Sequence, residues 1–563
     1  MAHIVDYKSR VQEVEQGFKP VYARMKEDED MLNLKKYVMT DSSSKPQPIP
    51  NIVNVTLNMP SYMATNILTD IGSASEQIVV TSHLATFDTH SVEEFISTAF
   101  MSANERLRFQ GMIDMNSFTD GQNCIRGRSA RRVFCQIGQD GIPIIDITPW
   151  DTRYVSYELD TDGLVWAAYH FKKSKGQIFA QYGLASPDDE SEVYDIYSRY
   201  HIETWVGGQK VREIIHDSGC VPVVIETVTL GSGGYLLTPD SKSAEGESIF
   251  FMIRDVIPEL NRLASIMQTL NLKSVKPPTQ YQNKEGGKAT PPAYEDAMGL
   301  GSMTSTELGG GLVPVNYGDA QRSAQLAFTM MQTAFEAGGM TSTELGLLGK
   351  PPASGIALLI AGEGRERIFH PRLIAKSNLN KATAKMVIKQ LQAKYGGGAI
   401  QLGEKGYEQK FNLDKLDGTY TIDFNYSIRS QEVDAGRASL AAAYGNLISN
   451  RTKRAEILQR DDPEGDEDLL RMEAAEMISP MVRKYRSIKS LKKLGHDFEA
   501  EMMSAEFGVE LDVLLGGQPP EVKPPTPSQP KQVLSLFGGA SGRPSGGNAN
   551  PDVGRSEEEQ AIA

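Results

Sequence analysis

The sequence predicts an α+β chain, with helices and strands gathered into separate stretches instead of alternating. Three observations lead there. Apolar residues recur at three- and four-residue intervals between Tyr7 and Phe118. They switch to every second residue between Val133 and Val228, and helical spacing returns from Glu247. At 563 residues the chain is too long for one core, so three or four structural units are expected. Hydrophobic content of 40% with 23% charged residues is ordinary for a globular protein.

Tyr7–Val38 predicts one helix or a helix pair, ended by the polar run Asp41-Ser-Ser-Ser-Lys-Pro. Asn51–Ile71, with Val55, Met59, Met63 and Ile67 four apart, predicts a second helix. Thr89 or Ser91 can cap a third, running through Phe95, Phe100, Leu107 and Met112 towards Phe118. Val133-Phe-Cys-Gln-Ile and Ile142-Pro-Ile-Ile-Asp-Ile then read as strands around a turn at Gly141. Tyr194–Val206 alternates as a strand, and Gly207-Gly208 turns it into Val211–Ile215 as a hairpin. Pro222-Val-Val-Ile-Glu-Thr-Val adds another strand. The strands are expected in antiparallel ribbons.

From Glu247, residues Ile249, Ile253, Val256, Leu260, Leu263, Met267 and Leu270 alternate spacings of four and three. That heptad-like stripe faces a partner helix along its length. A helix from Ser248 to Leu272 would be about 40 Å long. Pro258 lacks a backbone donor and predicts a kink or break near Arg254–Val256, and Pro277-Pro278 ends the helix. Pro278–Gly318 is rich in Gly and Pro, with a short helix at Tyr294–Met298 and a strand at Leu312–Asn316 expected. Asp319 caps a second helix with Ala324, Ala327, Phe328, Met331, Ala334 and Phe335 on one side, stopped by Gly338-Gly339. A plain helical hairpin uses a connection of roughly two to eight residues. This one is far longer.

After a loop at Met340–Ser354, a long helical stretch runs from Gly355 to Tyr395, interrupted by Pro371 and ended by Gly396-Gly-Gly. Tyr420, Ile422, Phe424, Tyr426 and Ile428 alternate with polar residues as a strand. Gln431 to Leu515 reads as helical and charged. Gln518–Ala563, rich in Pro, Gly and Ser, is expected to be disordered.

The formal net charge is −14. A tight grip on nucleic acid needs a basic surface, because counterion release supplies most of its affinity, so strong DNA binding is not expected. No apolar run approaches the roughly 20 residues of a membrane helix. The first residues lack the pattern of a secretory leader. The three cysteines, Cys124, Cys135 and Cys220, suit a reducing compartment. The protein is expected to be cytosolic when made.

Motifs that carry chemistry test negative. Gly346-Leu-Leu-Gly-Lys350 has the wrong glycine spacing for a phosphate loop and is followed by Pro351 where Ser or Thr is needed. Gly299-Leu-Gly301 lacks a third glycine. Glu158-Leu-Asp-Thr-Asp-Gly163 starts like a calcium loop, but Tyr169 stands where a bidentate carboxylate belongs, so a turn between strands is expected. His216-Asp217-Ser218 has the residue types of a triad, yet chain neighbours cannot point at one another as a triad requires. HExxH and CxxC patterns are missing and the eight histidines are scattered, which argues against a zinc site. The acidic run from Asp461 to Asp468 reads as an exposed turn and the first turn of a helix. No catalytic residue, cofactor or metal ligand is nominated.

Four segments, in this order, carry a resemblance. They are Asp146-Ile-Thr-Pro-Trp-Asp-Thr-Arg-Tyr154; Glu247-Ser-Ile-Phe250 through Leu260-Asn-Arg-Leu-Ala-Ser265; Pro351-Pro-Ala-Ser-Gly355-Ile-Ala-Leu358; and Leu447–Leu458 with the acidic turn and Glu473 after it. Their order over Asn51–Leu515 resembles the portal protein of tailed double-stranded-DNA bacteriophages. The resemblance implies the portal fold: a mixed α/β wing, a helical stem, a small α/β clip and a helical crown. It maps the wing to 1–246 with 355–429, stem helices to 247–276 and 319–337, the clip to 277–318, a tunnel loop to 338–354, the crown to 430–515 and a disordered tail to 516–563.

Such a subunit is not an enzyme. The resemblance implies a ring, most often of 12 copies, at one capsid vertex of the virion, assembled in the host cytoplasm. Double-stranded DNA would pass through its channel during packaging and ejection. Its partners would be the terminase large subunit, adaptor and neck proteins, and the major capsid and scaffolding proteins, with no membrane. Lys350, Thr343 and Gly349 would face DNA from the tunnel loop, and Lys273 and Lys276 from the stem. The oligomer seam would use Ile253, Leu260, Leu263, Met267, Phe328, Met331 and Phe335. Another phage head–neck component, or a nucleic-acid-processing enzyme, is the alternative. Met303-Thr-Ser-Thr-Glu-Leu-Gly309 recurs verbatim as Met340–Gly346, without an assigned meaning.

Overall fold

The computed structural model describes residues 7–84, 87–138, 141–185, 188–216, 218–232, 244–275, 279–283, 310–314, 318–339, 355–403, 408–428, 431–445, 447–458, 463–493 and 496–507. The chain divides into two units, Met1–Gln459 and Arg460–Ala563. It mixes helices with sheets, and every strand pair among the described residues is antiparallel.

The first unit opens with α1 (Tyr7–Leu32), α2 (Met59–Gly72), β1 (Ser75–Ser82), α3 (Thr89–Phe109) and α4 (Met115–Gly121). Helix α1 stops short of Val38 because Leu34 takes the left-handed conformation, with φ of 51°. Residues 51–58 are not helical as expected; α2 starts at Met59, with Pro60 in its first turn. Asp88, not Thr89 or Ser91, caps α3: its side chain accepts from the Ser91 N–H at 3.2 Å. Helix α3 ends before Met112, and Gly111 turns the chain at φ 74° into α4.

A π-helical turn, Gln122–Arg126, leads into β2 (Arg128–Ile137) and β3 (Pro143–Trp150). Then follow β4 (Val155–Asp160), β5 (Gly163–Ser174), α5 (Lys175–Tyr182), β6 (Glu190–Ser198), β7 (His201–Val206), β8 (Gln209–Ile215) and β9 (Val223–Thr227). Strands β4 to β8 form a five-stranded meander in chain order, and β3-β2-β9 a three-stranded sheet. The Tyr194–Val206 stretch is two strands, because a turn at Arg199-Tyr200 folds β7 back on β6. Gly207 and Gly208, with φ of 54° and 90°, supply the tight turn between β7 and β8. The calcium-like run is the β4–β5 turn, where Asp160 pairs with Gly163.

Helix α6 (Val256–Val275) begins where Pro258 predicted a break, so that proline lies in its first turn, where no donor is needed. It is followed by β10 (Thr279–Asn283), β11 (Gly310–Pro314) and α7 (Gly318–Gly338). Strand β11 lies two residues earlier than expected and pairs with β10, which periodicity did not reveal. Helix α8 (Gly355–Tyr395) is continuous through Pro371, contrary to the expected interruption. The Arg372 guanidinium donates to the Ile368 carbonyl there, serving an acceptor in the turn that proline perturbs. After Gly396–Gly398, all at positive φ, come β12 (Ala399–Leu402), β13 (Gln409–Asn412), β14 (Tyr420–Ser427) and α9 (Gln431–Ala443). Strand β14 pairs along its length with β1.

The largest core lies between α3, β2, β3, α8 and β14, and includes Phe95, Phe100, Val133, Ile147, Leu379, Leu391 and Phe424. A second gathers Met63, Ile67, Phe250, Ile253, Leu260, Phe335 and Phe369 at the root of α6 and α7. In a third, Phe18, Val21 and Met25 of α1 pack on Trp150, Tyr157 and Tyr197. The second unit contains α10 (Pro463–Ile478), α11 (Pro480–Lys493) and α12 (Asp497–Phe507). The expected helix at Tyr294–Met298, the Met340–Ser354 loop, both copies of the repeated heptapeptide and the tail from Gln518 lie outside the described residues.

Candidate assembly site around the central helix pair

Helices α6 and α7 pack against each other. They run antiparallel. A Cβ on Gly338, at the end of α7, would lie 3.0 Å from Met252 just before α6, and one on Gly339 would lie 3.0 Å from Met63 Sδ. The glycine stop therefore also permits close approach at the root of the pair. At the other end, Thr279–Asn283 and Gly310–Pro314 zip together in register from Thr279↔Pro314 to Asn283↔Gly310. The pair is thus closed at its root by apolar packing and at its tip by a ribbon.

Charged side chains fix the root. Arg254 donates to both oxygens of Asp28, at 2.9 and 3.0 Å, and to Glu247 at 3.1 Å. Arg24 reaches Glu247 at 3.1 Å and the carbonyls of Glu245 and Gly246 at 3.0 and 2.7 Å. Arg126 joins Asp151, Glu29 and the Met25 carbonyl. Burial pulls the Arg254 guanidinium down, but Asp28 and Glu247 outweigh it and hold its pKa above the ordinary value. The chain crosses itself at two glycines in the left-handed region, Gly127 (φ 70°) and Gly246 (φ 69°); a Cβ on Gly246 would meet the Gly127 carbonyl oxygen at 2.4 Å.

A polar ladder holds α6 from the side. Val53, Val55 and Leu57 donate their backbone N–H groups to Thr269 Oγ1, Ser265 Oγ and Asn261 Oδ1 at 3.0, 2.9 and 2.9 Å. Four helical residues rise about 6 Å, and two extended residues span about 6.6 Å. The repeats match, so one extended strap serves three side chains in a row. The Ser265 and Thr269 hydroxyls donate to Asn261 and Ser265 carbonyls at 2.7 Å, leaving their lone pairs for the strap. All three side chains are buried. The strap explains why residues 51–58 are not helical: their N–H groups are already bound. Sequence reasoning passed over Asn261, Ser265 and Thr269, although polar residues at i, i+4 and i+8 inside an apolar stripe were a visible signal.

Of the nominated DNA-facing residues, Lys273 is exposed in the last turn of α6. Lys276, Thr343, Gly349 and Lys350 lie outside the described residues. Of the nominated seam, Ile253, Leu260 and Phe335 are 0%, 0% and 1% exposed. They fill the chain's own core and retain no surface for a second copy. Phe328 and Met331 are half-buried against that core, and Leu263 and Met267 are half-buried on α6. Leu326 and Met330, one helical turn apart on α7, are exposed.

Among the described residues no group of three or more His, Cys, Asp or Glu is placed to hold a metal ion, and no helix is long and apolar enough to cross a membrane. His216 is buried with Nε2 3.0 Å from the Ser198 carbonyl. Burial pushes the Cys124 and Cys135 thiols up to about 12, which leaves them protonated and unreactive near neutral pH.

No protein-family model and no curated protein matches the chain. Among solved structures it is similar to a chain in the neck of a native GTA particle computed with C12 symmetry. The identity is 12%, the TM-score 0.37, and coverage 71% of this chain and 90% of that one. A chain in the neck of an empty GTA particle computed with C6 symmetry gives 13%, 0.38, and coverage of 71% and 90%. A chain in the virion of a native gene transfer agent particle gives 12%, 0.37, and coverage of 71% and 89%.

Proposed function

We propose that this chain is a portal subunit, a non-enzymatic ring component that conducts double-stranded DNA through a capsid vertex. The observation that carries the reading is the α6–α7 pair. Two helices of 20 and 21 residues leave a mixed α/β body side by side, and a two-stranded ribbon joins their tips. In this reading the body is the wing, α6 and α7 are the stem, the ribbon with residues 284–309 is the clip, and Met340–Ser354 is the tunnel loop carrying Thr343, Gly349 and Lys350. The crown begins near residue 430, and 516–563 is the tail.

The outer surface of α7 supports a conduit. Ser323–Phe335 contains no charged residue, and Gln325, Leu326, Thr329, Met330 and Thr333 are exposed along it. A wall of uncharged polar and apolar side chains neither holds a polyanion by counterion release nor repels it. Among the described residues, Lys273 places a lone positive charge near the far end of α6. Leu263, Met267, Phe328 and Met331 retain apolar surface for neighbouring copies. The clip would dock the terminase large subunit and then adaptor or neck proteins, and the outer body the capsid and scaffolding proteins.

Electron microscopy of the purified full chain is expected to reveal closed rings with a central hole, most often of 12 copies. A stable monomer at micromolar concentration would overturn the reading. Because Asn283 and Gly310 are paired, residues 284–309 can be replaced by a tight turn without spreading the ribbon. That variant should form rings and fail to dock terminase; normal packaging would remove the clip assignment.

A further inference from the structure

The described part of the C-terminal helical unit carries more surface than core. Among its described residues, Ile488 and Ala500 are fully buried, with Tyr485, Leu491 and Met503 partly buried beside them. Met477, Ile478, Phe498 and Met502 are 86%, 84%, 73% and 60% exposed. So small a core supplies little stability of its own.

Its charges are sorted by helix. In α11, Arg483, Lys484, Arg486, Lys489, Lys492 and Lys493 come with no acidic residue. In α10 the acidic residues are Glu464, Asp466, Glu467, Asp468, Glu473 and Glu476, against the single cation Arg471. Helical spacing sets Arg483, Arg486 and Lys489 along the side of α11 opposite Ile488. The same spacing lines up Leu470, Glu473 and Met477 on α10. Arg486 is spent inside the unit on Glu476, at 2.6 Å. Arg483, Lys489 and Glu473 are exposed and form no ion pair among the described residues.

We infer that the occupant of these stripes is a second copy of this chain: Leu470, Glu473 and Met477 of one subunit dock on Val482, Arg483 and Lys489 of the next. Both halves span about two helical turns, one acidic and apolar, the other basic. They lie on different helices of the same unit, so the contact is head-to-tail, the kind that repeats from subunit to subunit around a ring when its rotation closes. Nucleic acid fits the basic stripe less well, because its phosphates would meet the acidic helices on either side. In α12, Asp497, Glu499, Glu501 and Glu506 come with no cation. This inference rests on the ring reading and adds to it the surface that closes the ring.

The test compares the full-length protein with R483E/K489E, with E473K, and with the triple variant R483E/K489E/E473K. Sedimentation and electron microscopy are read at low and high salt, with circular dichroism as the folding check. R483E/K489E should retain its helical signal and weaken assembly at least about tenfold at low salt. The triple variant should recover rings, because both stripes change sign together. High salt should weaken wild-type rings. Unchanged rings from R483E/K489E would overturn the inference and leave the ring reading standing, as would loss of DNA retention with rings intact. A monomeric wild type would overturn both.

Discussion

Lys376 shows how the interior of the first unit handles charge. It donates to Asp120 at 2.8 Å, with both side chains 6% exposed, and its ammonium lies 4.9 Å from the Tyr426 ring. Burial pushes the Asp120 carboxyl up, against the pull of Lys376 and Arg131. Replacing Lys376 by methionine leaves that carboxylate buried without its cation. The expected loss is about 3–5 kcal/mol in denaturant unfolding, and adding Asp120→Asn should recover most of it. Equal stability of the two variants would show that Asp120 takes up a proton once Lys376 is gone. Glu29 behaves in the opposite sense. Burial pulls its carboxyl up, but hydrogen bonds from Lys26 and Arg126 outweigh that and hold it below its ordinary value. A depressed carboxyl contributes stability at pH values above its unfolded pKa and loses it as pH falls through the folded one. Glu29→Gln should therefore be less stable than wild type near neutral pH, and the gap should close as the solution is acidified below about pH 4. Urea midpoints across that range check it; a constant gap would refute the linkage.

For the elements, the strap on α6 gives the sharpest test. Asn261→Leu, Ser265→Ala and Thr269→Val each take the partner from one part-buried N–H of the strap, at about 1 kcal/mol apiece. The triple variant should expose the N–H groups of Val53, Val55 and Leu57 to hydrogen exchange while α6 itself stays protected. Unchanged protection would mean that packing alone holds the strap. The sequence made the α6–α7 pair, the β2–β3 hairpin and the β14 alternation legible, because each repeats a local period. It did not reveal β10, which is five residues long in Gly/Pro-rich surroundings. Nor did it reveal that 51–58 is extended, since the groups that bind those amides lie more than 200 residues away. Ile253, Leu260 and Phe335 of the nominated seam lie in the chain's own core for a related reason. Periodicity shows that a face is apolar without showing which partner covers it.

For the whole molecule, the α+β class and the antiparallel ribbons were readable from periodicity, and long-range closure was not. Ser75 pairs with Ser427 across 352 residues, and β1 meets β14 over eight residues. That pairing governs how the chain is made. At about 5–20 residues per second, β1 waits on the order of 20–70 s on the ribosome for its partner to be synthesised. Throughout that interval its unpaired backbone edge and the Ile78 and Val80 side chains lack their native cover, as an unpaired strand edge does in any nascent chain. Fast synthesis and early chaperone capture should therefore govern the yield of folded protein more than its final stability does, and the β1–β14 sheet can close only after residue 427 has left the exit tunnel.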